Sequence, residues 1–287
     1  MRIAQATHRF GQMVFASFLG VNIVEVTHEH AVLHVPYQVA HSNPDGVLNG
    51  GVTASLINLA GTLAAWTGIG LDVEPFLGTV DFSIQYLSAA IAEDVLASAS
   101  VIRRGRDLFF LEGQVYTQDD KPIGKGLMIY RAPDYAGQPR RCLASPELLC
   151  EPPLSSETHP LSRYGDYTQK LQITTVYERP GRIRLAMPCT ADVVDERGQL
   201  QEGVIASLLD IAGTAASWTL TTRPGSRGAT IGMQLSYLQA THEAVMADAH
   251  VQQRSEELFF STVQITTATT RQLVAMGNVS YRLLEGR

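Results

Sequence analysis

Cysteine is scarce in this chain of 287 residues, at three in all. Cys142, Cys150 and Cys189 stand at no metal-ligand spacing, and an odd number cannot all pair. A zinc ribbon and a disulfide framework are both disfavoured, and a reduced, cytoplasmic setting is expected. Positive charge is in deficit, with 22 Lys and Arg against 28 Asp and Glu for a net of −6, so no nucleic-acid partner is expected. No apolar run approaches the roughly 18 residues of a membrane span, and the opening MRIAQATHRF has no apolar stretch of the kind that directs export. No membrane partner is expected.

Familiar catalytic signatures are missing too. There is no G-x-S-x-G elbow, no P-loop, and no third glycine after Gly68-Ile69-Gly70 to make a dinucleotide loop. His28, His30 and His34 share parity along an extended segment, but no cysteine, aspartate or second histidine cluster joins them at ligand spacing, so no metal is expected. What is present is an ordinary packed composition, 45% apolar and 17% charged.

The chain is duplicated. Residues 46–67, GVLNGGVTASLINLAGTLAAWT, align with 198–219, GQLQEGVIASLLDIAGTAASWT, at an offset of 152 with 13 of 22 positions identical. The pattern Val52, Leu56, Leu59, Leu63, Trp66 recurs as Val204, Leu208, Ile211, Ala215, Trp218. It predicts an amphipathic helix in each copy with one face buried. The opposite face carries small residues that admit a second backbone or a ligand. Strand-like segments near 21–35 and 171–187 precede the helices. Four runs follow each helix, near 76–87, 94–104, 107–118 and 122–132, and near 228–238, 244–254, 257–267 and 272–284. Residues 1–17 read as one helix. The expected organisation is an N-terminal domain over 1–133, a Pro-, Ser- and Gly-rich linker over 134–158 and a C-terminal domain over 159–287. The fold class is α+β, with two long helices on antiparallel sheets.

The differences between the copies carry the chemistry. Copy one has Asn43, Asn49 and the pair Gly50-Gly51, but Asn58 on its helix; copy two has Asp195, Gln201 and Glu202-Gly203, but Asp210 on its helix. Two glycines at a helix start leave backbone N–H groups and the positive end of the helix dipole open to an oxyanion. An acid among Leu208, Leu209, Ile211 and Ala212 has a hydrogen-bond partner or a raised pKa, as a working base does. Gly50 and Asn58 are about 12 Å apart along one helix, too far to act on one carbonyl. With the helices antiparallel, Asp210 comes to face Gly50 and Asn43, while Asn58, Glu202, Gly203 and Asp195 make a degenerate counterpart.

Asn43-x-x-Gly46-x-x-Asn49-Gly50-Gly51, with Asn58 or its copy Asp210 on the helix, resembles the hotdog-fold acyl-CoA thioesterases. The likeness is to the phenylacetate-degradation and 4-hydroxybenzoyl-CoA thioesterase-like branch, and it covers nearly the whole chain as two hotdog units. This chain has Asn49 where the family has His. The resemblance implies a double hotdog paired as an intramolecular pseudo-dimer and thioester hydrolysis with no cofactor beyond the coenzyme A of an acyl-CoA substrate. It implies Asn43 and Gly50 as oxyanion donors, Asp210 as base or nucleophile, and Thr230 at the place where some members position water with Ser. Thr79 is its counterpart in the degenerate site. Asn49 and Gly51 are expected at the substrate, and Arg103, Arg104 and Arg106, or Arg254, near coenzyme phosphates. A homo-oligomer of pseudo-dimers is expected. A non-catalytic acyl-CoA-binding module stays open beside the enzyme. A hotdog hydratase would want an Asp/His pair that the matching positions lack.

Overall fold

The structure, a computed structural model, describes residues 2–69, 78–105, 107–131, 159–160, 165–221 and 223–286. The expected linker, 134–158, lies outside them. In the first repeat, α1 (Arg2–Gly11) and α2 (Val14–Phe18) lead into β1 (Asn22–Thr27), β2 (His30–Val35), the long α3 (Gly50–Gly68), β3 (Gly78–Tyr86), β4 (Val95–Arg104), β5 (Leu108–Thr117) and β6 (Pro122–Arg131). In the second, β7 (His159–Pro160) and α4 (Asp166–Lys170) precede β8 (Thr174–Arg179) and β9 (Arg182–Met187). Then come α5 (Glu202–Trp218), β10 (Arg227–Tyr237), β11 (Val245–Ser255), β12 (Leu258–Thr267) and β13 (Leu273–Leu284).

Three expectations need correction. The helix over 1–17 is two helices. Each segment read as one strand before a long helix is a hairpin, because Glu29 (φ 58°) and Gly181 (φ 76°) turn the chain through the left-handed region. The long helices are not amphipathic: every residue of α3 from Gly51 to Gly68 is buried. Of the small residues, Gly51 and Gly203 meet the other helix, whereas Gly61 meets Met128 and Tyr130 and Gly213 meets Val279 on the strands. A stripe pattern reports which residues are large, and here both faces are packed.

All strands join one antiparallel sheet in the order β1-β2-β4-β5-β6-β3-β10-β13-β12-β11-β9-β8-β7. The repeats meet where β3 pairs with β10, with Phe82 opposite Leu235 and Ser83 opposite Gln234. The sheet therefore runs without a break from one hotdog unit into the next, and the two helices lie together on one side of it. The main core draws on both repeats, from Leu56, Leu59 and Phe82 to Leu208, Leu235 and Val263. Hydrophobic burial thus ties the units into one body.

Candidate active site

The register of α3 against α5 sets the site. Ser55 Oγ donates to the Gly203 carbonyl at 2.8 Å, Ser207 Oγ donates to the Gly51 carbonyl at 2.8 Å, and the two hydroxyl oxygens lie 2.9 Å apart. Residue 51 lies against 207 and residue 55 against 203, so the helices are antiparallel. Gly51 and Gly203 let them approach: a Cβ on Gly51 would lie 2.8 Å from the Ser207 backbone. This crossing carries Asp210 to the first turn of α3. A Cβ on Gly50 would fall 2.6 Å from Asp210 Oδ2, so the carboxylate and the Gly50 backbone face each other directly.

Asp210 is 3% exposed and accepts one hydrogen bond on Oδ1, from Thr230 Oγ1 at 2.8 Å. Burial raises its pKa from 3.8 to about 6, and the Thr230 bond pulls the other way. Above that range the group is a carboxylate; below it, an acid. Tyr86 donates to the Gly50 carbonyl at 3.1 Å, and burial together with the charge of Asp210 holds its phenol well above the usual value.

The loop before α3 is tied down by its own side chains. Asn49 is the N-cap: its Oδ1 accepts from Gly51 N–H at 2.8 Å, and its Nδ2 donates to Asn43 Oδ1 at 2.8 Å. Both expectations of substrate contact there need revision. The Gly51 N–H is committed to the cap, and Asn49, 5% exposed, orients Asn43. Of the glycine pair, Gly50 is the residue that faces the carboxylate. Asn43 is half-buried, with its Oδ1 turned to Asn49, so its donor end is the Nδ2 group.

The second junction repeats the frame with other side chains. Tyr237 donates to the Glu202 carbonyl at 2.9 Å, as Tyr86 does to Gly50. Glu202 reaches into the junction, where Thr79 N–H donates to Oε1 at 2.6 Å and the Thr79 hydroxyl donates to Oε2. Burial raises the Glu202 pKa, the Thr79 and Asn58 hydrogen bonds lower it, and nearby Asp195 adds to the rise. Asn58 donates to Thr79 Oγ1 at 3.2 Å and to Tyr130 OH at 3.0 Å, and accepts from Gln201 at 3.3 Å. Asp195 uses Oδ1 to accept N–H bonds from Arg197 and Gln199, both at 2.9 Å, and so closes the turn before α5. Gly203 N–H is held by Gln201 Oε1 at 2.5 Å.

Arg104, expected near coenzyme phosphates, lies at the end of α3 far from Gly50. Arg104 Nη1 donates to the Gly68 carbonyl at 2.8 Å and stacks over Phe109, at the last turn of α3. That is about 27 Å along the helix from Gly50. Arg104 and its strand neighbour Arg103 therefore belong to the end of the molecule away from Asp210; Arg106 lies outside the described residues. Arg254, the equivalent of Arg104 in the second repeat, stacks over Phe259 and pairs with Glu285 at 2.9 Å. The sequence pattern also gave no sign of His41, a buried neighbour of the loop. Its carbonyl accepts Asn49 N–H at 2.9 Å, and its ring lies 3.2 Å from Lys170 Nζ. Burial, then the Lys170 charge, lower its pKa to about 4, so it is neutral. Lys170 stands 152 residues after Phe18 and lies over its ring, a pairing between repeats that no local pattern announces.

Two hotdog units on one continuous sheet, with a buried carboxylate of one helix set against the glycine start of the other, define a double-hotdog hydrolase. The chain belongs to the thioesterase superfamily, whose sequence profile matches residues 45–123 and 198–274, more than half of its length. Human acyl-coenzyme A thioesterase 13 is 30% identical over 114 residues, covering 39% of this chain and 80% of that protein. Among solved structures, acyl-CoA thioesterase II TesB2 of Mycobacterium marinum superposes with a TM-score of 0.65 at 11% identity, over 95% of this chain and 98% of that one. An acyl-ACP thioesterase of Bacteroides thetaiotaomicron superposes at 0.54 with 13% identity, over 88% and 98%. At such identities the structures speak for the fold, and the family speaks for thioester hydrolysis. No helix of the described residues is long and apolar enough to cross a membrane.

Proposed function

We propose that the chain hydrolyses acyl-CoA thioesters at one site per chain, formed by the start of α3 and the middle of α5. The observation that carries this reading is Asp210 Oδ2 lying 2.6 Å from where a Cβ on Gly50 would stand. Gly50 N–H at the positive end of α3 and the Asn43 amide receive the thioester carbonyl oxygen as charge builds on it. The Asp210 carboxylate acts on the carbonyl carbon, directly or by taking a proton from water. The carbon–sulfur bond breaks, and coenzyme A leaves as a thiolate that needs no strong general acid. Thr230, donating to Oδ1, leaves Oδ2 as the reacting oxygen.

Thiol release from a panel of acyl-CoAs tests this. Release by wild type and its loss in Asp210→Asn supports the site; saturable binding with no release points instead to an acyl-CoA-binding module. Wild-type release that survives in Asp210→Asn overturns the assignment. Single turnover in ¹⁸O-labelled water tests the covalent role of Asp210, since label in the protein marks a mixed anhydride opened by water at the Asp210 carboxyl carbon.

A further inference from the structure

Each repeat lends a short helix to the loop before the long helix of the other. α4 packs on the helical turn Val39–His41, which leads to Asn43 and α3; α2 packs on its equivalent, Ala191–Val193, which leads to Asp195 and α5. At the offset of 152, Tyr167, Lys170 and His41 at the first contact correspond to Phe15, Phe18 and Val193 at the second. The second set is apolar and packs in the main core. The frame therefore needs no polar group at these three places.

The polar set burdens the fold. Lys170 Nζ donates to the Phe18 carbonyl and to His41 Nε2, the latter at 3.2 Å. An ammonium can only donate, so the neutral ring accepts on Nε2 and carries its proton on Nδ1. His41 is 1% exposed, and that Nδ1–H has no hydrogen-bond partner among the described residues. An unpaired buried donor weakens a fold, and valine in its place brings none. Tyr167, edge-on to the His41 ring, reaches Ser207 Oγ at 3.1 Å at the helix crossing. The start of α4 also presses on the backbone of Asn43. Gly165 is buried with φ 95°, and a Cβ there would fall 2.5 Å from the Ser42 carbonyl oxygen and 2.8 Å from Asn43 Cα. Those are backbone atoms that cannot rotate aside, and glycine takes this dihedral without the strain a side chain adds. Its counterpart Met13 has an ordinary φ of −69°.

From this we infer that α4 is a strap that sets the place and orientation of Asn43, with Gly165, Lys170 and His41 as positioning residues for the oxyanion donor. The inference rests on the proposed site at Asp210 and adds what holds one of its parts. Gly165 bears on Asn43 directly. Lys170 holds the His41 ring, and the His41 backbone carbonyl accepts Asn49 N–H at 2.9 Å. Asn49 Nδ2 in turn donates to Asn43 Oδ1 at 2.8 Å. All three act through Asn43 and need no contact with the substrate.

Gly165→Ala and Lys170→Met test this, each in wild type and in the Asn43→Ala background, with the acyl-CoA of the panel that wild type hydrolyses fastest. In wild type each should lower kcat about tenfold or more, because a donor displaced by about an ångström loses its hold on the oxyanion. KM should stay within about twofold. In Asn43→Ala the same changes should lower kcat little further, since residues that act through one group are not additive. An equal loss in both backgrounds, a loss confined to KM, or an unchanged kcat overturns the strap. Amide hydrogen exchange needs no turnover. Either variant should speed exchange at Asn43 and Asn49 about tenfold more than at Asp195 and Gln201. Equal change at both turns, or none, overturns the inference; if one variant does not fold, the other decides. Faster exchange at Asn43 in a variant, with no thiol release by wild type, would instead remove the proposed activity and leave the strap standing.

Discussion

Two junctions of almost the same backbone sit side by side in this molecule, and their side chains do opposite things. At one, Gly50 offers bare backbone to Asp210. At the other, the equivalent residue is Glu202, whose carboxylate turns in to occupy both donors of Thr79. Thr230 donates to the carboxylate of its own repeat, while Thr79 donates to a carboxylate of the opposite repeat. The scaffold survives at both places through the paired Ser55–Ser207 crossing and the two tyrosines on the helix starts. Fold and chemistry have therefore separated: the frame tolerates loss of the carboxylate at 58 because Asn58 finds Thr79, Tyr130 and Gln201 as partners. Duplication kept the frame twice and the pairing of a buried carboxylate with a glycine helix start once.

The largest test of this contrast is Asp210→Asn, which makes the Asp210 junction resemble its neighbour. Loss of a carboxylate that activates water should lower kcat by about 10²–10⁴-fold. Folding should persist, because a buried carboxyl with a pKa of about 6 is a burden on the fold at neutral pH. Its contribution to stability is fully present below the ordinary pKa of 3.8 and is lost as pH rises through about 6. The variant should therefore match or exceed the wild-type Tm at pH 7, and its advantage should shrink toward pH 4. A lower Tm at pH 7 would mean that Asp210 is structural.

Removing an oxyanion donor comes next. Asn43→Ala should slow turnover about 10²–10³-fold without abolishing it, since Gly50 N–H remains. An effect confined to KM would remove Asn43 from the reaction. Gly50→Ala brings a methyl group against Asp210 Oδ2 and should displace the carboxylate, at a loss of about 10²-fold. Full activity in that variant would show that the close approach is unimportant. On pH, kcat/KM should fall about tenfold per unit below about 6 as Asp210 is protonated, a limb absent from the residual rate of Asp210→Asn.

Much of this is legible in the sequence, for a definite reason. An internal repeat supplies its own alignment, so the Asn58/Asp210 and Gly50/Glu202 differences stand out when the chain is compared with itself. An antiparallel helix pair is enough to bring Asp210 to Gly50. Strand positions after each helix come within a residue or two, because alternation and turns are local signals. What fails depends on contacts across repeats or on the far ends of side chains. Arg104 holds a helix C-terminus, and Asn49 commits its amide to a cap. Tyr130 and Tyr281 share a place in the fold, but their hydroxyls bond different partners. Lys170 against His41 needs the three-dimensional exchange of short helices between repeats.

The smallest expected effect on activity tests the Glu202 junction itself. Asn58→Asp restores the missing acid where Thr79 still binds Glu202. The Asn58 Nδ2 donor to Thr79 and Tyr130 would be lost, and two carboxyl groups would share one buried space beside Asp195. Like charges there cannot both ionise at low cost, so a proton is retained and no strong base appears. The fold should lose stability while turnover stays within about twofold of wild type, because the two junctions are separate enough to act independently. The decisive background is Asp210→Asn, in which Asn58→Asp should add no activity. Robust hydrolysis by that double variant would mean that Glu202 does not block its junction, and that a single carboxylate had been all that set the two apart.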